Sequence, residues 1–185
     1  KRELTKTKKK GGIGKKELNM KLERLVQLVP DSWMANFNLA LNLDANLKIK
    51  EANKYYEKVL RLNPNHFSSK FNMAKNFVSL GRLDEAESLF RLAVNDNPTN
   101  PKTYMNLAQL EVKKNRLKEA GRLFKQAIDL NPDFGVAHLN YAVFLTNLKQ
   151  FKKAIYHMEI AFDLGVKDAL LDKLMNYYGL PSPVR

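Results

Sequence analysis

The chain repeats itself at an interval of 34 residues, and this period limits its possible fold more than any other feature. A triplet of asparagine, a large apolar residue and alanine recurs four times, beginning at Asn38, Asn72, Asn106 and Asn140. Prolines keep the same interval, at Pro30, Pro64, Pro98 and Pro132. Three of them follow asparagine, and an Asn-Pro step ends a helix and turns the chain. Such a period indicates one supersecondary unit that is stacked several times.

Two helices are predicted in each unit, because apolar residues follow helical spacing twice between consecutive prolines. In the first unit these stripes are Leu39/Ala40/Leu43 and Ala52/Tyr56/Val59. The short breaks between the two halves require antiparallel neighbours. The residue after each proline is of a type that caps helix N-termini, at Asp31, Asn65, Thr99 and Asp133. We therefore expect these four residues to cap the first helix of each unit.

A 34-residue helix–turn–helix unit with small-residue columns, an aromatic column and a terminal proline resembles the tetratricopeptide repeat. The resemblance places four units at residues 31–64, 65–98, 99–132 and 133–166. It makes residues 15–30 the second helix of an incomplete preceding unit and residues 167–180 a capping helix. The inter-helix glycine of the family is present only as Gly81. The fold implied is all-α, a right-handed superhelix (an α-solenoid) of antiparallel helix pairs.

The resemblance also implies that first-half helices line a concave groove, where members of the family bind their partners. One amide per unit is expected there, from Asn38, Asn72, Asn106 and Asn140. A carboxamide both donates and accepts hydrogen bonds, so it can pair with a peptide bond whatever side chain that peptide carries. The column resembles the asparagine ladder in the repeat domain of O-linked N-acetylglucosamine transferase. An equally open alternative is that asparagine is only a default residue of this column.

Apolar side chains stand beside these amides and are expected to supply partner contact. They are Phe37, Phe71 and Met105, and the alternative is that they pack half inside the core. Further polar contacts are expected from Lys75, Lys102 and Gln109. The clamp by which related repeats grip the carboxylates of chaperone C-termini is not expected. Only Asn72 and Lys102 match it, whereas Phe37, Leu41 and Asn106 depart from it.

The net charge of +13 comes largely from one end of the chain. Residues 1–16 contain eight Lys or Arg and one Glu, and residues 1–14 are predicted to form a basic, disordered tail ahead of the first helix. Such a tail can attract polyanions or act as a nuclear-import signal. The alternative is that it is only a solvated tail or the cut edge of a longer polypeptide. Otherwise we expect a cytoplasmic protein without a membrane span. The first residue is not Met, which suggests a fragment whose parent supplies another activity.

These features together predict a scaffold or adaptor that binds an extended peptide segment. No cysteine is present, and no constellation of base, nucleophile and metal ligands is apparent, so we expect neither an enzyme nor a cofactor. The alternatives are a substrate-presenting module of a larger enzyme, such as a glycosyltransferase, and polyanion binding through the tail. Self-association through an apolar end or groove is a further possibility.

Overall fold

The computed structural model describes residues 14–180, with the backbone alone described at residues 15 and 16. This part of the chain consists of helices joined by short turns and contains no strand. The helices are α1 (Lys15–Leu28), α2 (Trp33–Ala45), α3 (Ile49–Leu62), α4 (Phe67–Ser79), α5 (Leu83–Asp96), α6 (Pro101–Lys113), α7 (Leu117–Leu130), α8 (Gly135–Asn147), α9 (Phe151–Asp163) and α10 (Ala169–Tyr177). The predicted basic tail, residues 1–14, lies outside the described residues except for Gly14.

Two compact units divide between Ser69 and Lys70, within the first turn of α4. In the first unit, α2 packs against α3, and α1 packs against α2. Its core contains the two stripes that the sequence predicts, Leu39, Ala40, Leu43, Ala52, Tyr56 and Val59. The Tyr56 hydroxyl is buried but satisfied, because it donates a hydrogen bond to Asp44 Oδ2 at 3.0 Å.

The second unit repeats this arrangement. Helices α6 and α7 form one pair and α8 and α9 another, while α5 contacts α6, α7 contacts α8 and α10 covers α9. Alanine occupies the positions where helices approach most closely, and each of these residues is fully buried: Ala74, Ala86, Ala108, Ala120, Ala142 and Ala154. Large side chains fill the space beside them, namely Phe90, Phe124 and Met158. The small and large columns that the sequence predicts therefore form the core.

Each turn inside a helix pair closes in the same way. One residue adopts a positive φ, and it is Leu47 (61°), Gly81 (75°), Asn115 (58°) or Lys149 (57°). The next N–H then reaches the carbonyl five residues earlier, as from Lys48 to Leu43 at 2.9 Å and from Gln150 to Leu145 at 2.9 Å. This is the Schellman ending, which prefers glycine because L side chains are strained at positive φ. The turn is retained although only one of the four positions is glycine.

The predicted helix caps were wrong by one residue. Helix α2 is capped by Ser32, whose hydroxyl accepts a hydrogen bond from the Ala35 N–H, and not by Asp31. Helix α6 is capped by Asn100, not Thr99, and α8 begins after Phe134, not Asp133. The reason is that the residue after the proline still belongs to the turn, so the first helical residue comes later.

A polar column at the start of the first-half helices ties down the preceding turn. Asn36 Nδ2 donates to the carbonyl of Pro30 at 2.9 Å, and the Tyr104 hydroxyl donates to that of Pro98 at 2.9 Å. His138 Nε2 lies 3.0 Å from the carbonyl of Pro132. Three different side chains therefore bond to the equivalent proline carbonyl, six residues earlier in each case. The sequence hides this role because the residue type changes from repeat to repeat.

Candidate peptide-binding face

The predicted amides lie on first-half helices, one turn away from other exposed or half-exposed side chains. In the first unit, Asn38 is exposed on α2 between Met34 and Leu41, which are also exposed. These three residues are spaced i, i+4 and i+7, so they form one stripe along the helix. Among the described residues, no hydrogen bond to the Asn38 side chain is present. The stripe offers an amide flanked by two apolar groups.

In the second predicted repeat, the amide of Asn72 lies on α4 and is also without a hydrogen-bond partner among residues 14–180. Lys75, one turn later, is exposed, and its Nζ lies 5.9 Å from the centre of the Phe71 ring. This places a cation beside the amide and restrains it against an aromatic face. The site at α4 therefore offers one free carboxamide and one positive charge.

The amide of Asn106 on α6 is half engaged. Its Nδ2 donates to the carbonyl of Lys102, one turn earlier, at 2.8 Å. This bond fixes the orientation of the carboxamide, while Oδ1 keeps its capacity to accept. The Lys102 side chain is exposed beside it. A peptide N–H is the group that this oxygen would accept from.

The amide of Asn140 on α8 is instead used within the protein. Its Oδ1 accepts a hydrogen bond from Gln109 Nε2 at 2.6 Å, and its Nδ2 donates to the Val136 carbonyl at 2.8 Å. The same Nδ2 lies 3.5 Å from the sulfur of Met105. The hydrogen bond between Gln109 and Asn140 therefore joins α6 to α8 and occupies both side chains. The four amides of the predicted ladder are not equivalent.

The neighbouring apolar column faces inward more than the sequence analysis expects. The Met105 side chain is only 9% exposed, so it has little surface to offer a partner. Phe71 is half-buried, with its ring centre 5.8 Å from that of Phe90. Phe37 is half-buried between Tyr56 and His66, at 6.0 and 4.6 Å between ring centres. The rings of Phe37 and Phe71 therefore join the two helices of a pair.

A charged cluster between α5 and the turn that joins α6 to α7 was not predicted from the sequence. Glu87 on α5 accepts hydrogen bonds from Lys114 Nζ (2.5 Å), Arg116 Nη1 (3.0 Å) and Arg91 Nη2 (2.9 Å). The bonds from Arg116 above all, and from Lys114 and Arg91, outweigh partial burial and lower the pKa of Glu87 to about 2.

Glu111 belongs to the same cluster but is far less well satisfied. Its side chain is fully buried, and neither carboxylate oxygen makes a hydrogen bond within the described part of the chain. Arg116 Nη1 lies 3.2 Å from Oε2, and Arg91 Nη2 lies 3.9 Å from Oε1. Burial, followed by repulsion from Glu87, raises the pKa of Glu111. A signal was present, since Glu111 interrupts the column of Leu43, Phe77 and Leu145.

A histidine pair also forms in the second compact unit, although the histidines of the sequence show no H-x-x-x-H or similar ligand spacing. His138 Nδ1 lies 2.9 Å from His157 Nδ1. Because the Pro132 carbonyl can only accept, His138 carries its proton on Nε2, and its Nδ1 accepts from His157. Burial, and then the charge of His138, lower the pKa of His157 to about 4. Within residues 14–180, no group of three or more His, Cys, Asp or Glu could hold a metal ion.

Pairs of antiparallel helices joined by Schellman turns, with buried alanines between them, define an α-solenoid of helical repeats. A model of the tetratricopeptide repeat matches residues 45–110 and 111–175, more than half of the sequence. The chain therefore belongs to the tetratricopeptide repeat family, as the sequence predicts, and is a protein-interaction scaffold in the general sense of that family.

Solved structures confirm the fold class. A MamA structure from Desulfovibrio magneticus RS-1 is 18% identical with a TM-score of 0.73, covering 81% of this chain and 85% of its own. Pseudomonas aeruginosa PilF is 19% identical with a TM-score of 0.76, covering 89% and 77%. Cut9, from a Cut9–Hcn1 complex, is 18% identical with a TM-score of 0.78, covering 89% of this chain and 34% of its own. No curated protein matches the sequence significantly. In the described range, no helix is both long and apolar enough to cross a bilayer.

Proposed function

We propose that this protein is an adaptor that holds an extended peptide segment against its first-half helices, with Asn72 and Asn106 as the main contacts. The observation that carries the proposal is the difference between these amides and Asn140. Asn72 has no partner in the described chain, and Asn106 keeps a free Oδ1, whereas Asn140 is bonded through both of its amide atoms. Unpaired amides on a helix face are available to the N–H and C=O groups of an extended strand.

The charge beside these amides favours one class of peptide. Lys75 and Lys102 are exposed and lie within one turn of Asn72 and Asn106 respectively. Neither lysine forms an ion pair with another described residue. An acidic side chain on the peptide would therefore meet a cation without breaking an internal ion pair. We expect bound peptides to be extended and to carry Asp or Glu near the residues that pair with the amides.

The experiment is a random-peptide display selection on the whole chain, followed by binding measurements on the selected peptides. The variant Asn72→Ala/Asn106→Ala should bind them about tenfold more weakly or worse, since each lost hydrogen bond is worth about 1 kcal/mol. Asn95→Ala is the matched control, because Asn95 is an exposed asparagine on the second-half helix α5. Circular dichroism establishes that all variants remain folded.

Equal affinity for the double variant and the control would overturn the amide contacts, and an empty selection would overturn peptide binding by this face. Removal of residues 1–14 separates the proposal from polyanion binding through the tail, because binding to the amides should survive it. The substrate-presenting alternative predicts a catalytic domain in the same full-length polypeptide. Sedimentation of the free chain tests self-association.

A further inference from the structure

The turn between α8 and α9 carries a cluster of lysines that no carboxylate in the described part of the chain pairs with. Lys149, Lys152 and Lys153 are all exposed. Residues 134–158 contain no Asp or Glu, so the local sequence provides no acidic partner. Lys153 Nζ contacts only a neutral group, Gln150 Oε1, at 3.2 Å. None of the three lysines forms an ion pair within the described part of the chain.

The turn between α6 and α7 lies beside it and adds further cations. The two turns are neighbours because the start of α7 packs on the end of α8: a Cβ on Gly121 would lie 3.4 Å from the Phe144 ring. Lys113 and Lys118 are exposed on this second turn, and neither is paired with a described carboxylate. The acidic groups that face this turn are occupied by other cations. Glu87 binds Lys114 and Arg116, Asp84 binds Lys114, and Glu119, which lines the same hollow as Leu117, binds Arg122.

Each turn also exposes one large apolar side chain among its lysines. Leu117 begins α7 and is 37% exposed, and Phe151 begins α9 and is 45% exposed. Both residues line open hollows, Leu117 together with Lys118 and Phe151 together with Lys152. Water would surround these groups in the free protein, so covering them would favour binding. Charge and apolar surface therefore alternate along this edge.

We infer that the edge formed by residues 113–118 and 149–153, here called the turn edge, docks an acidic protein segment that carries apolar side chains. The charge complements Asp and Glu, and Leu117 and Phe151 complement the apolar residues between them. A nucleic acid fits less well, because its bases stack on aromatic rings. Phe151 is the one aromatic residue in these two stretches, and its ring already lies 5.9 Å from that of Tyr178. The turn edge shares no residue with the amide face, so the inference is independent of the proposed function.

The probe is a synthetic 16-residue peptide that alternates Asp or Glu with Leu. Because the chain has no cysteine, Asn147→Cys at the end of α8 accepts a single fluorescent label next to the turn edge. We expect a saturable change in this signal when the full chain is titrated with the peptide. Lys149→Glu/Lys152→Glu in the labelled protein should weaken binding about tenfold, since two attractions become repulsions. Lys125→Glu/Lys173→Glu, the same charge change elsewhere on the surface, should leave it nearly unchanged.

The apolar part is tested with Phe151→Ser and with a peptide in which Ser replaces Leu. Both changes should weaken binding severalfold, and Asn72→Ala/Asn106→Ala should not affect it. Equal weakening by the two charge reversals would overturn the inference in favour of general electrostatic attraction. Tighter binding of a single-stranded oligonucleotide, unaffected by Phe151→Ser, would also overturn it. No saturable response at Asn147→Cys would show that the edge does not bind this class of segment.

Discussion

Replacement of Glu111 by leucine should stabilise the protein, although it removes a member of an ion-pair cluster. Leucine restores the residue type found one repeat later at Leu145 and is similar in size to glutamate. The Glu111 side chain is 0% exposed, and its carboxylate makes no hydrogen bond among the described residues. An ionised group in such a place loses hydration that its ion pairs do not fully replace.

The cations that Glu111 faces do not depend on it. Arg91 and Arg116 are 52% and 45% exposed, so water can solvate them after the substitution. Both also donate hydrogen bonds to Glu87, which stays in place. Exchange of buried ion pairs for apolar groups commonly stabilises by about 1–4 kcal/mol. We expect Glu111→Leu to raise the free energy of unfolding by about 2 kcal/mol at pH 7.

The pH dependence checks the cause of this gain. The pKa of Glu111 is raised in the folded protein, so the folded state holds the proton more tightly than the unfolded state does. The contribution of Glu111 to the free energy of unfolding is therefore most favourable below its unfolded pKa of 4.5. This contribution is lost as the pH rises through the folded pKa. The advantage of Glu111→Leu should therefore be larger at pH 7.5 than at pH 4.5. Glu87 behaves oppositely, because its folded pKa of about 2 makes its contribution present above pH 4.5 and lost on acidification.

The assay is urea unfolding followed by circular dichroism at both pH values, with Glu111→Gln as the control that removes the charge and keeps the shape. Glu111→Gln should gain less than Glu111→Leu, because it still buries a polar group. A loss of more than about 1 kcal/mol for Glu111→Leu at pH 7 would refute the reasoning. It would mean that the cluster is held together by Glu111 and not by Glu87.

Three further substitutions test the turns, the histidine pair and the close approach of helices. Leu47→Gly should stabilise by about 1 kcal/mol, because Leu47 has a φ of 61° and is 83% exposed, so strain is relieved and no packing is lost; urea unfolding followed by Trp33 fluorescence measures this. His157→Gln should reduce the stability that the protein loses between pH 6.5 and pH 4. A histidine with a folded pKa of about 4 contributes stability above pH 6.5 that is lost on acidification. Thermal unfolding at both pH values measures this, and an unchanged loss would contradict it. Gly135→Ala should destabilise the protein by about 1–2 kcal/mol, because its Cβ would lie 2.5 Å from Val166 Cγ2. Gly121→Ala should instead stabilise it by up to about 1 kcal/mol through higher helix propensity, because its Cβ would make only an ordinary contact. The urea midpoints of the two variants should therefore move in opposite directions.

The core was predictable from the sequence because every repeat presents the same side-chain volumes in the same register. The alanines at positions such as Ala74 and Ala108 are buried for a reason that the pattern contains, since two helix axes approach there. The Schellman turns were less visible, because Leu47 and Lys149 occupy a conformation that favours glycine. Their geometry is fixed by the helices on either side and not by the local residue type.

The chemistry of the candidate site was harder to predict because it depends on pairs of residues in different repeats. The asparagine column is visible in the sequence, but the clasp between Gln109 and Asn140 joins residues that are 31 apart. The same applies to the histidine pair, His138 and His157, which are 19 residues apart. Spacing rules for ligands within one helix cannot find such pairs.

The residue that follows each ladder asparagine by one helical turn determines whether the next amide stays available. In the third unit of the predicted array this residue is Gln109, which can donate to a carbonyl oxygen and closes Asn140. In the second unit it is Lys75, which contacts the Phe71 ring, and the Oδ1 of Asn106 remains open. A glutamine therefore makes the surface self-satisfied, whereas a lysine leaves an acceptor and adds a charge. Amides that look identical in sequence can therefore differ in the donors and acceptors that they leave unpaired, and Asn140 is the one that its neighbour closes in this way.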